Sequence, residues 1–511
     1  MTFPTVKLSA NAGHFPERRA SVVRHLPALL VLTAFSAILV PSVRQGLGSL
    51  DGFLILRAAR TLAAQHQLVL SRPPGHPLSD WGLFGGMAVF VRWFAHRSFS
   101  TTMFLTAQLA CAAVAAGLFY LLLVRLRVGL FAATAALIAF IASPVFLDQV
   151  CCGEEFIPGL CFALAGLLLL PPAAPRPTEL TCAASAVLWA CAAGCRPEYL
   201  GIGVVAYPTL CGLGLLDRRT MTRSLVVLAV CAIVVWLPVF AVAGITLPYG
   251  HGMGWRWVVA SFGYRVLFDA FGLPLSLVIW SGVAVALRRL VKRGQFERDD
   301  SVALLALVLA LVFAALLLFH PDKSAYLLIT LPFTLLLLTR AGAAMTGVAA
   351  LLAVVGWVAT VDVVREWQLV RPFVGEGAYA RTMHKKSAAA HDYLVEVAAS
   401  RVPPRSLFVV NLWSWDFEYQ SAQRTAPRLR PAPDVGPDGA AWKTDDAHVF
   451  LARDVVYTLD ELGQYADAGF EIVMDWGVWR ESFARREPPP RSNRVMIGST
   501  PVRLIAVSAR R

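Results

Sequence analysis

Long apolar blocks, separated by short polar connections, occupy the chain up to about residue 362. Most blocks are about 16 to 24 residues long, and about 20 helical residues cross a hydrocarbon core about 30 Å thick. The blocks run approximately over 26–41, 82–95, 102–124, 129–147, 156–172, 179–195, 198–216, 224–247, 271–288, 302–319, 325–339 and 343–362. This pattern predicts a polytopic α-helical membrane domain over residues 1–362, with about 11–13 transmembrane helices.

The connections between blocks predict the orientation of these helices. Basic connections of membrane proteins face the cytoplasm, and they lie here at Arg125/Arg127, Arg176, Arg218/Arg219/Arg223, Arg288–Arg293 and Arg340. The loops at 42–80, 148–155, 196, 248–270 and 320–324 are then expected outside. The short block 82–95, which contains Arg92, is interpreted as an incomplete span. The alternative is that it spans fully, with Arg125 and Arg127 facing outward.

From about residue 363 the pattern changes to that of a water-soluble domain. Charged residues return, a helical stretch is expected over 385–400, and strand-like runs follow at 406–411, 447–451, 469–474, 493–497 and 503–508. Strands that alternate with helices indicate an α/β fold. Residues 363–511 are therefore predicted to form a C-terminal extracytoplasmic α/β domain.

The composition agrees with a bilayer as the main solvent. Of 511 residues, 57% are hydrophobic and 15% are charged, whereas about a quarter are charged in an ordinary soluble protein. The net charge of +13 follows from the basic connections, so a nucleic-acid partner is not expected. All nine cysteines lie between Cys111 and Cys231, a placement that argues against a disulfide framework. The first apolar block lacks a cleavage site and is expected to remain as a helix.

The first outer loop, about 42–80, contains the most informative residues. Asp51 precedes an amphipathic helix of the kind that lies on a bilayer surface, and the turn Ser71-Arg-Pro-Pro-Gly-His-Pro-Leu78 follows it. Such a helix would hold Asp51 at the membrane boundary. The alternative is that Asp51 only caps the helix.

This order of motifs resembles the first loop of GT-C superfamily glycosyltransferases, which include protein O-mannosyltransferases and lipid A aminoarabinose transferases. The resemblance implies that Asp51 is the general base or a catalytic carboxylate near it, and that the turn with Arg72 and His76 lies near a lipid phosphate. Gly52 and Ser71 stand where many members have further acids. A divalent metal is therefore left open, and no other cofactor is indicated.

Two acids open the apolar block at Phe156, about 100 residues after Asp51. Members of the superfamily commonly have a catalytic acid immediately before a helix here. The resemblance therefore nominates Glu155, with Glu154 beside it, and favours Glu155 over Asp148 earlier in the same loop. Acids at a helix N-terminus also stabilise the helix dipole, so a purely structural role is the alternative.

Two later motifs add basic and aromatic candidates. Gly194-Cys-Arg-Pro-Glu-Tyr199 resembles a Thr-Arg-Pro-Glu pattern of bacterial GT-C proteins and nominates Arg196, which would otherwise simply pair with Glu198. Phe319-His-Pro-Asp-Lys-Ser-Ala-Tyr326 resembles the superfamily's His-Pro-x-(Arg/Lys)-x-x-Tyr segment. It implies that His320, Lys323 and Tyr326 lie at the lipid phosphate. The alternative is that Lys323 is a snorkelling interfacial lysine.

Together these motifs predict an inverting glycosyltransferase of the bacterial inner membrane. It would move a sugar from a polyprenyl-phosphate donor to a lipid, glycan or protein acceptor outside the cytoplasm, with membrane lipid around it. No P-loop, Rossmann fingerprint or nucleophile elbow occurs in the chain. One alternative is a GT-C-like scaffold without activity. Another is a transporter or lipid flippase, which predicts repeated halves and broken helices.

Overall fold

The computed structural model describes residues 15–44, 50–71, 76–170, 178–243, 255–293, 298–318 and 324–359, and seven strands between 407 and 506. The helices are α1 Phe15–Arg44, α2 Leu50–Gln65, α3 Phe84–Ala95, α4 Thr101–Arg125, α5 Leu130–Ile141, α6 Pro144–Cys152, α7 Phe156–Leu168, α8 Glu179–Cys195, α9 Leu200–Gly212, α10 Arg218–Ala243, α11 Trp255–Tyr264, α12 Leu273–Arg293, α13 Arg298–Leu316, α14 Leu331–Ala341 and α15 Ala343–Ala359. Short π or 3-10 turns lie at Leu78–Leu83, Pro197–Tyr199, Arg265–Asp269 and Ser324–Leu328.

The protein is helical, and some of its helices are long and apolar enough to cross a membrane. In the described ranges two qualify, Thr101–Arg125 and Arg218–Val242, and the number reaches four if each of two bent helix pairs counts as one span. The expectation of 11–13 spans differs because several apolar blocks form shorter helices. The block 129–147, for example, bends by 51° between α5 and α6, immediately before Pro144, which cannot donate a backbone hydrogen bond inside a helix.

Helix α10 exposes a broad apolar surface. The most apolar 18-residue segment of α10 has a mean hydropathy of 3.0, and only 17% of this segment is buried. Val230, Ile233 and Leu237 are each more than half exposed. A soluble monomer rarely exposes a continuous apolar surface of this extent, so the exposure of α10 is compatible with a membrane-spanning helix.

Described parts of the connections predicted to lie outside the membrane meet at one end of the helical assembly, here called the site end. Gln108 Nε2 donates to the carbonyls of Gln149 at 3.2 Å and Glu154 at 2.7 Å. The backbone N–H of Val145 donates to the carbonyl of Ala270 at 3.0 Å. These bonds join residues 148–155 to the first turns of α4, and the start of α6 to the turn after α11.

The basic connections that contain Leu126, Arg289 and Arg340 meet at the other end, here called the basic end. Arg340 Nη2 donates to the carbonyl of Leu126 at 3.2 Å, and Arg289 Nη1 donates to the carbonyl of Arg340 at 2.9 Å. Helix α4 runs from the site end to Arg125 at the basic end. The two groups of connections assigned to opposite sides from the sequence therefore lie at opposite ends of α4.

The chain lies at the site end both at the start of α3 and four residues after this helix ends. The Phe84 ring lies 4.5 Å from the Phe104 ring, and Phe99, four residues after α3, lies 6.5 Å from the same ring. Arg60 Nε also donates to the Phe99 carbonyl at 2.8 Å. Twelve residues extend about 18 Å, less than a hydrocarbon core. Whether 82–95 is an incomplete span stays a prediction.

The strands pair into two sheets. They are β1 Leu407–Val410, β2 Arg430–Ala432, β3 Val449–Arg453, β4 Glu471–Met474, β5 Arg494–Ile497, β6 Thr500–Arg503 and β7 Ile505–Ala506. Parallel pairing gives the order β2-β1-β3-β4-β7, with Leu407 opposite Val449, and β5 pairs antiparallel with β6. The sequence pattern did not predict β2 and β6. Each contains a proline, and β2 lies at the sheet edge, where a missing N–H is tolerated. The predicted helix 385–400 lies outside the described residues.

Candidate functional site

A sharp turn between α6 and α7 places Glu155 at the site end. Helix α6 ends at Cys152, and Gly153 follows with φ of +71°, a left-handed conformation that glycine adopts without strain. Glu155 stands immediately before α7 and is fully buried. A buried carboxylate at a helix N-terminus interacts favourably with the helix dipole, but it also needs a cationic partner.

That partner is Arg196, which lies where α8 ends. Proline at position 197 disfavours the helical conformation of the preceding residue, and Arg196 is accordingly extended, with φ of −149° and ψ of 122°. Its side chain is also buried, with 6% of the residue exposed. The break in the helix therefore lets a guanidinium point across to α7.

The Glu155 carboxylate receives two basic side chains. Arg196 Nε lies 2.5 Å from Glu155 Oε1, and His76 Nε2 lies 3.4 Å from the same oxygen. Glu198, the partner considered from the sequence, is farther away, with its Oε1 4.0 Å from Arg196 Nη1. Glu155 is thus the closer carboxylate, and the Arg196–Glu198 alternative describes only the weaker contact.

Two aromatic rings fix the plane of the Arg196 guanidinium. Its central carbon lies 4.0 Å from the centroid of the Phe156 ring and 5.5 Å from that of Tyr326. Arg196 Nη1 also donates to the Tyr326 hydroxyl at 3.4 Å. The two rings meet edge to face, with centroids 5.4 Å apart. Stacking and hydrogen bonding together hold a planar guanidinium in a way that a lysine ammonium could not reproduce.

His76 is held in place by a carboxylate that the sequence reasoning missed. Asp80 is fully buried, and its Oδ2 accepts the backbone N–H groups of Ser71 at 3.1 Å and His76 at 3.4 Å. Trp81 Nε1 also donates to the carbonyl of Val69 at 2.8 Å. The bonds of Ser71 to Asp80 and of Trp81 to Val69 join residues that precede the Pro-Pro-Gly segment to residues that follow it. The available signal was an acid four residues after His76 in an otherwise apolar stretch.

The structure brings four of the nominated residues together and leaves others outside its description. His76, Glu155, Arg196 and Tyr326 form one buried cluster, hereafter the Glu155–Arg196 cluster. Glu154 is 5% exposed and binds Gln108 through its carbonyl.

Other nominated residues cannot be placed. Asp51 is the second residue of α2, but its side chain is outside the described set, as are Arg72, His320 and Lys323. Their convergence on the cluster remains a prediction. Within the described ranges, no group of three or more His, Cys, Asp or Glu side chains is arranged to hold a metal ion.

Comparison with known proteins does not assign a class. No protein-family model matches the chain, and no curated protein matches it significantly. The functional assignment therefore depends on the motifs and on the geometry of the Glu155–Arg196 cluster.

Proposed function

We propose that this chain is a GT-C-like, multi-pass glycosyltransferase of the bacterial inner membrane, which transfers a sugar from a polyprenyl-phosphate donor to an extracytoplasmic acceptor with inversion. The observation that carries the proposal is the Glu155–Arg196 cluster. Its residues come from four separate connections, at the end of the assembly opposite the basic connections. Such convergence of ionisable groups in an apolar protein is typical of a substrate cavity.

The cluster has the chemistry that departure of a lipid phosphate requires. Negative charge grows on the phosphate oxygen as the bond to the sugar breaks, and preorganised cations and donors in a water-poor site stabilise that charge. Arg196, oriented by Phe156 and Tyr326, is suited to this role. Glu155 contacts its Nε side, so in this proposal Glu155 acts as a positioning residue for Arg196 and His76.

The remaining roles come from the GT-C resemblance. Asp51 would accept the proton of the acceptor hydroxyl, whose oxygen would attack C1 of the sugar from the face opposite the phosphate. The C1–oxygen bond to the phosphate would break, and the lipid phosphate would leave with its charge stabilised by Arg72, Lys323 and Arg196. A divalent metal is not needed to balance this step and is left open.

The proposal includes an α/β domain over residues 363–511, for which the parallel strand order is the argument, while its extracytoplasmic side comes only from the orientation predicted from loop charge. Parallel neighbours need crossover connections of a dozen or more residues, usually helical. The segments 411–429, 433–448 and 454–470, which link successive strands, are long enough for this. A domain at this end of the chain would lie on the acceptor side if the C-terminus is outside.

One observation favours a transporter or lipid flippase as a second candidate. The break between α5 and α6, bent by 51°, resembles the discontinuous helices from which transporters build their sites. A transporter would carry its substrate across intact, whereas a transferase cleaves the donor. The third alternative, an inactive GT-C-like scaffold, would bind the donor and leave it unchanged.

These candidates are separated by following the labelled sugar of a polyprenyl-phosphate donor in vesicles that contain the full-length protein. The proposed function predicts loss of label from the lipid and its appearance on an acceptor. Label that crosses the membrane while still on lipid would identify a transporter. Label that binds and stays unchanged would identify a scaffold.

The same assay tests the two residues on which the mechanism most depends. Asp51→Asn should abolish transfer with donor binding nearly intact, whereas Lys323→Ala should weaken donor binding and turnover together. Asp217→Asn and Lys292→Ala, at connections predicted to be cytoplasmic, are the matched controls and should keep full activity. Full activity of Asp51→Asn would refute the mechanism.

A further inference from the structure

A second candidate site lies at the basic end, far from the Glu155–Arg196 cluster. A cavity of about 360 Å³ opens between the start of α5 and the connection from α14 to α15. Arg127, Arg340, Thr339 and Phe131 are among its lining residues. In this part of the described structure, the lining contains two cations and no acidic side chain.

Arg127 occupies a backbone position that normally favours glycine. After α4, the N–H of Val128 donates to the carbonyl of Leu123 and the N–H of Arg127 to that of Val124, each at 3.0 Å. These two bonds define a Schellman motif with Arg127 at its left-handed position, and its φ is +57°. A non-glycine residue in this conformation costs about 1–2 kcal/mol. An exposed arginine here is therefore better explained by its charge than by backbone preference.

The other walls of the cavity also favour an anion. Arg340 is anchored through Nη2 to the Leu126 carbonyl. Arg289, which does not line the cavity, donates to the Arg340 carbonyl and adds a third positive charge nearby. Helix α5 begins at Leu130, beside Gly129, with no side-chain cap. Its first N–H groups and its dipole add positive potential at the cavity.

An apolar strip continues from this cationic cavity along α15. Phe131 is 67% exposed, and Val348, Leu351 and Val355, which share one helix face at spacings of three and four residues, are 46%, 63% and 51% exposed. Twelve residues from Ala343, in the cavity wall, to Val355 extend about 18 Å, about the depth of one leaflet of a 30 Å core. A free phosphate ion would leave this strip uncovered, whereas an acyl chain would cover it.

We propose that the cavity binds the phosphate headgroup of an anionic phospholipid of the cytoplasmic leaflet, whose acyl chain lies along Val348, Leu351 and Val355. Basic pockets between helices on the cytoplasmic side favour such headgroups. The proposal does not depend on the glycosyltransferase assignment, because it uses neither Asp51 nor the Glu155–Arg196 cluster.

The test is a lipid titration of full-length protein in detergent, with bound lipid counted by native mass spectrometry. Phosphatidylglycerol should bind more tightly than phosphatidylcholine. Arg127→Gln should weaken phosphatidylglycerol binding about fivefold, as expected for loss of one cation near an anionic headgroup. Arg125→Gln removes the same charge two residues earlier, outside the cavity lining, and should bind as the unchanged protein does.

A second pair of variants distinguishes a lipid from a free anion. Leu351→Ser should weaken phosphatidylglycerol binding, while Leu121→Ser, at an exposed leucine of α4, should not. Inorganic phosphate should displace the lipid only weakly. Equal binding of the two lipids, equal effects of Arg127→Gln and Arg125→Gln, or displacement by phosphate as effective as by lipid would each overturn the proposal.

Discussion

The buried ion pair between Glu155 and Arg196 is not expected to raise the free energy of unfolding, so its presence needs another explanation. Moving each charge from water into the protein interior costs several kcal/mol of desolvation free energy. The attraction between the two buried charges offsets only part of that cost. Both residues are nevertheless almost completely buried in a chain that is 57% hydrophobic. Apolar side chains of similar volume would fill the space at lower cost. We therefore attribute the pair to the chemistry of the site.

A double-mutant cycle tests this attribution. Glu155→Gln and Arg196→Gln should each destabilise the protein by about 3–5 kcal/mol, because each removes the closest charged partner of the buried group that remains. The double variant should lose less than the sum of the two. Unfolding in detergent at several denaturant concentrations measures all three. Additive losses would mean that the two groups are not coupled.

Arg196→Lys separates charge from shape. Lysine keeps the positive charge but loses the planar stack on Phe156 and the fork of donors. In the transfer assay this variant should have a lower kcat, with folding preserved. Arg223→Lys, at an exposed pair with Glu179, is the control and should behave as the unchanged protein does.

Asp80 is a positioning residue whose effect can be measured without substrate. Asp80→Ala removes the acceptor for the N–H groups of Ser71 and His76, and each unsatisfied buried donor costs about 1–3 kcal/mol. Amide exchange should therefore accelerate at Ser71 and His76. Asp80→Asn keeps an acceptor oxygen and should restore part of the protection. Unchanged exchange in Asp80→Ala would contradict this role.

At the residue scale, the sequence allowed us to nominate side chains that form ion pairs with one another. It did not allow us to nominate side chains whose hydrogen-bond partners are backbone groups. Arg196 and Glu155 stand out because they are charges between apolar blocks. Asp80 and Gln108 were not nominated, since their partners are backbone atoms of residues up to 46 positions away. Which backbone group meets a given side chain depends on the packing of several helices and cannot be read from local pattern.

Among the helices, the approach of α7 to the residues after Arg196 depends on one glycine. A Cβ at Gly159 would lie 2.5 Å from a ring carbon of Tyr199, and Tyr199 donates its hydroxyl to the Phe156 carbonyl at 2.8 Å. Gly159 therefore lets the turn that carries Arg196 pack directly against the helix that follows Glu155.

Gly159→Ala should separate these two elements. The overpacking should cost about 1–3 kcal/mol and reduce transfer by moving Arg196 relative to Glu155. Gly86→Ala is the matched control, because a Cβ there meets nothing within 4 Å and alanine is the better helix residue. Thermal unfolding and the transfer assay should both distinguish the two variants. Equal behaviour would show that the contact with Tyr199 is not needed.

The start of α10 provides a pH-dependent contact away from the site. Asp217 accepts the backbone N–H of Thr220 at 2.9 Å and its hydroxyl at 2.8 Å, and these bonds hold the pKa of Asp217 below its ordinary value of 3.8. A lowered pKa means that the carboxylate stabilises the helix start above about pH 4 and loses this effect as the pH falls through its folded value.

Amide exchange at Thr220 measures this contact. Protection should be constant near neutral pH and decrease only in acid. Asp217→Asn should remove that decrease, because its amide does not titrate. An acid-dependent decrease of the same size in the variant would exclude Asp217 as its source.

The sequence located helical elements better than it located their limits. Apolar length alone suggested continuous spans, but Pro144 and Pro197 end helices inside or beside apolar stretches. The strands β2 and β6 were missed because each contains a proline and is short. The β-propensity of their residues does not predict such strands, because they are held extended by pairing with neighbouring strands and not by a local preference.

At the scale of the whole molecule, the separation of the two ends is the strongest link between sequence and structure. Loop charge alone assigned 148–155 and 196 to one side and Arg125/Arg127 and Arg340 to the other. The hydrogen bonds of Gln108 and Arg340 place these two groups at opposite ends of α4. The assignment by loop charge does not use the hydrogen bonds, and the hydrogen bonds were not chosen by loop charge. Their agreement supports the prediction that successive connections alternate between the two sides of the membrane.

Reporter fusions test which end faces the cytoplasm. Fusions after Arg219, Arg293 and Arg340 should report the cytoplasm, because lysine- and arginine-rich short connections are retained there. Fusions after residue 265 and near the C-terminus should report the outside, since the connection at 265–270 meets the site end through Ala270. A fusion after Arg97 distinguishes the two interpretations of α3: it should report the outside if α3 returns to the end where it began, and the cytoplasm if α3 crosses. A cytoplasmic C-terminus would reverse the orientation, remove the sheet from any extracytoplasmic acceptor and place the cavity at Arg127 in the wrong leaflet for the proposed lipid.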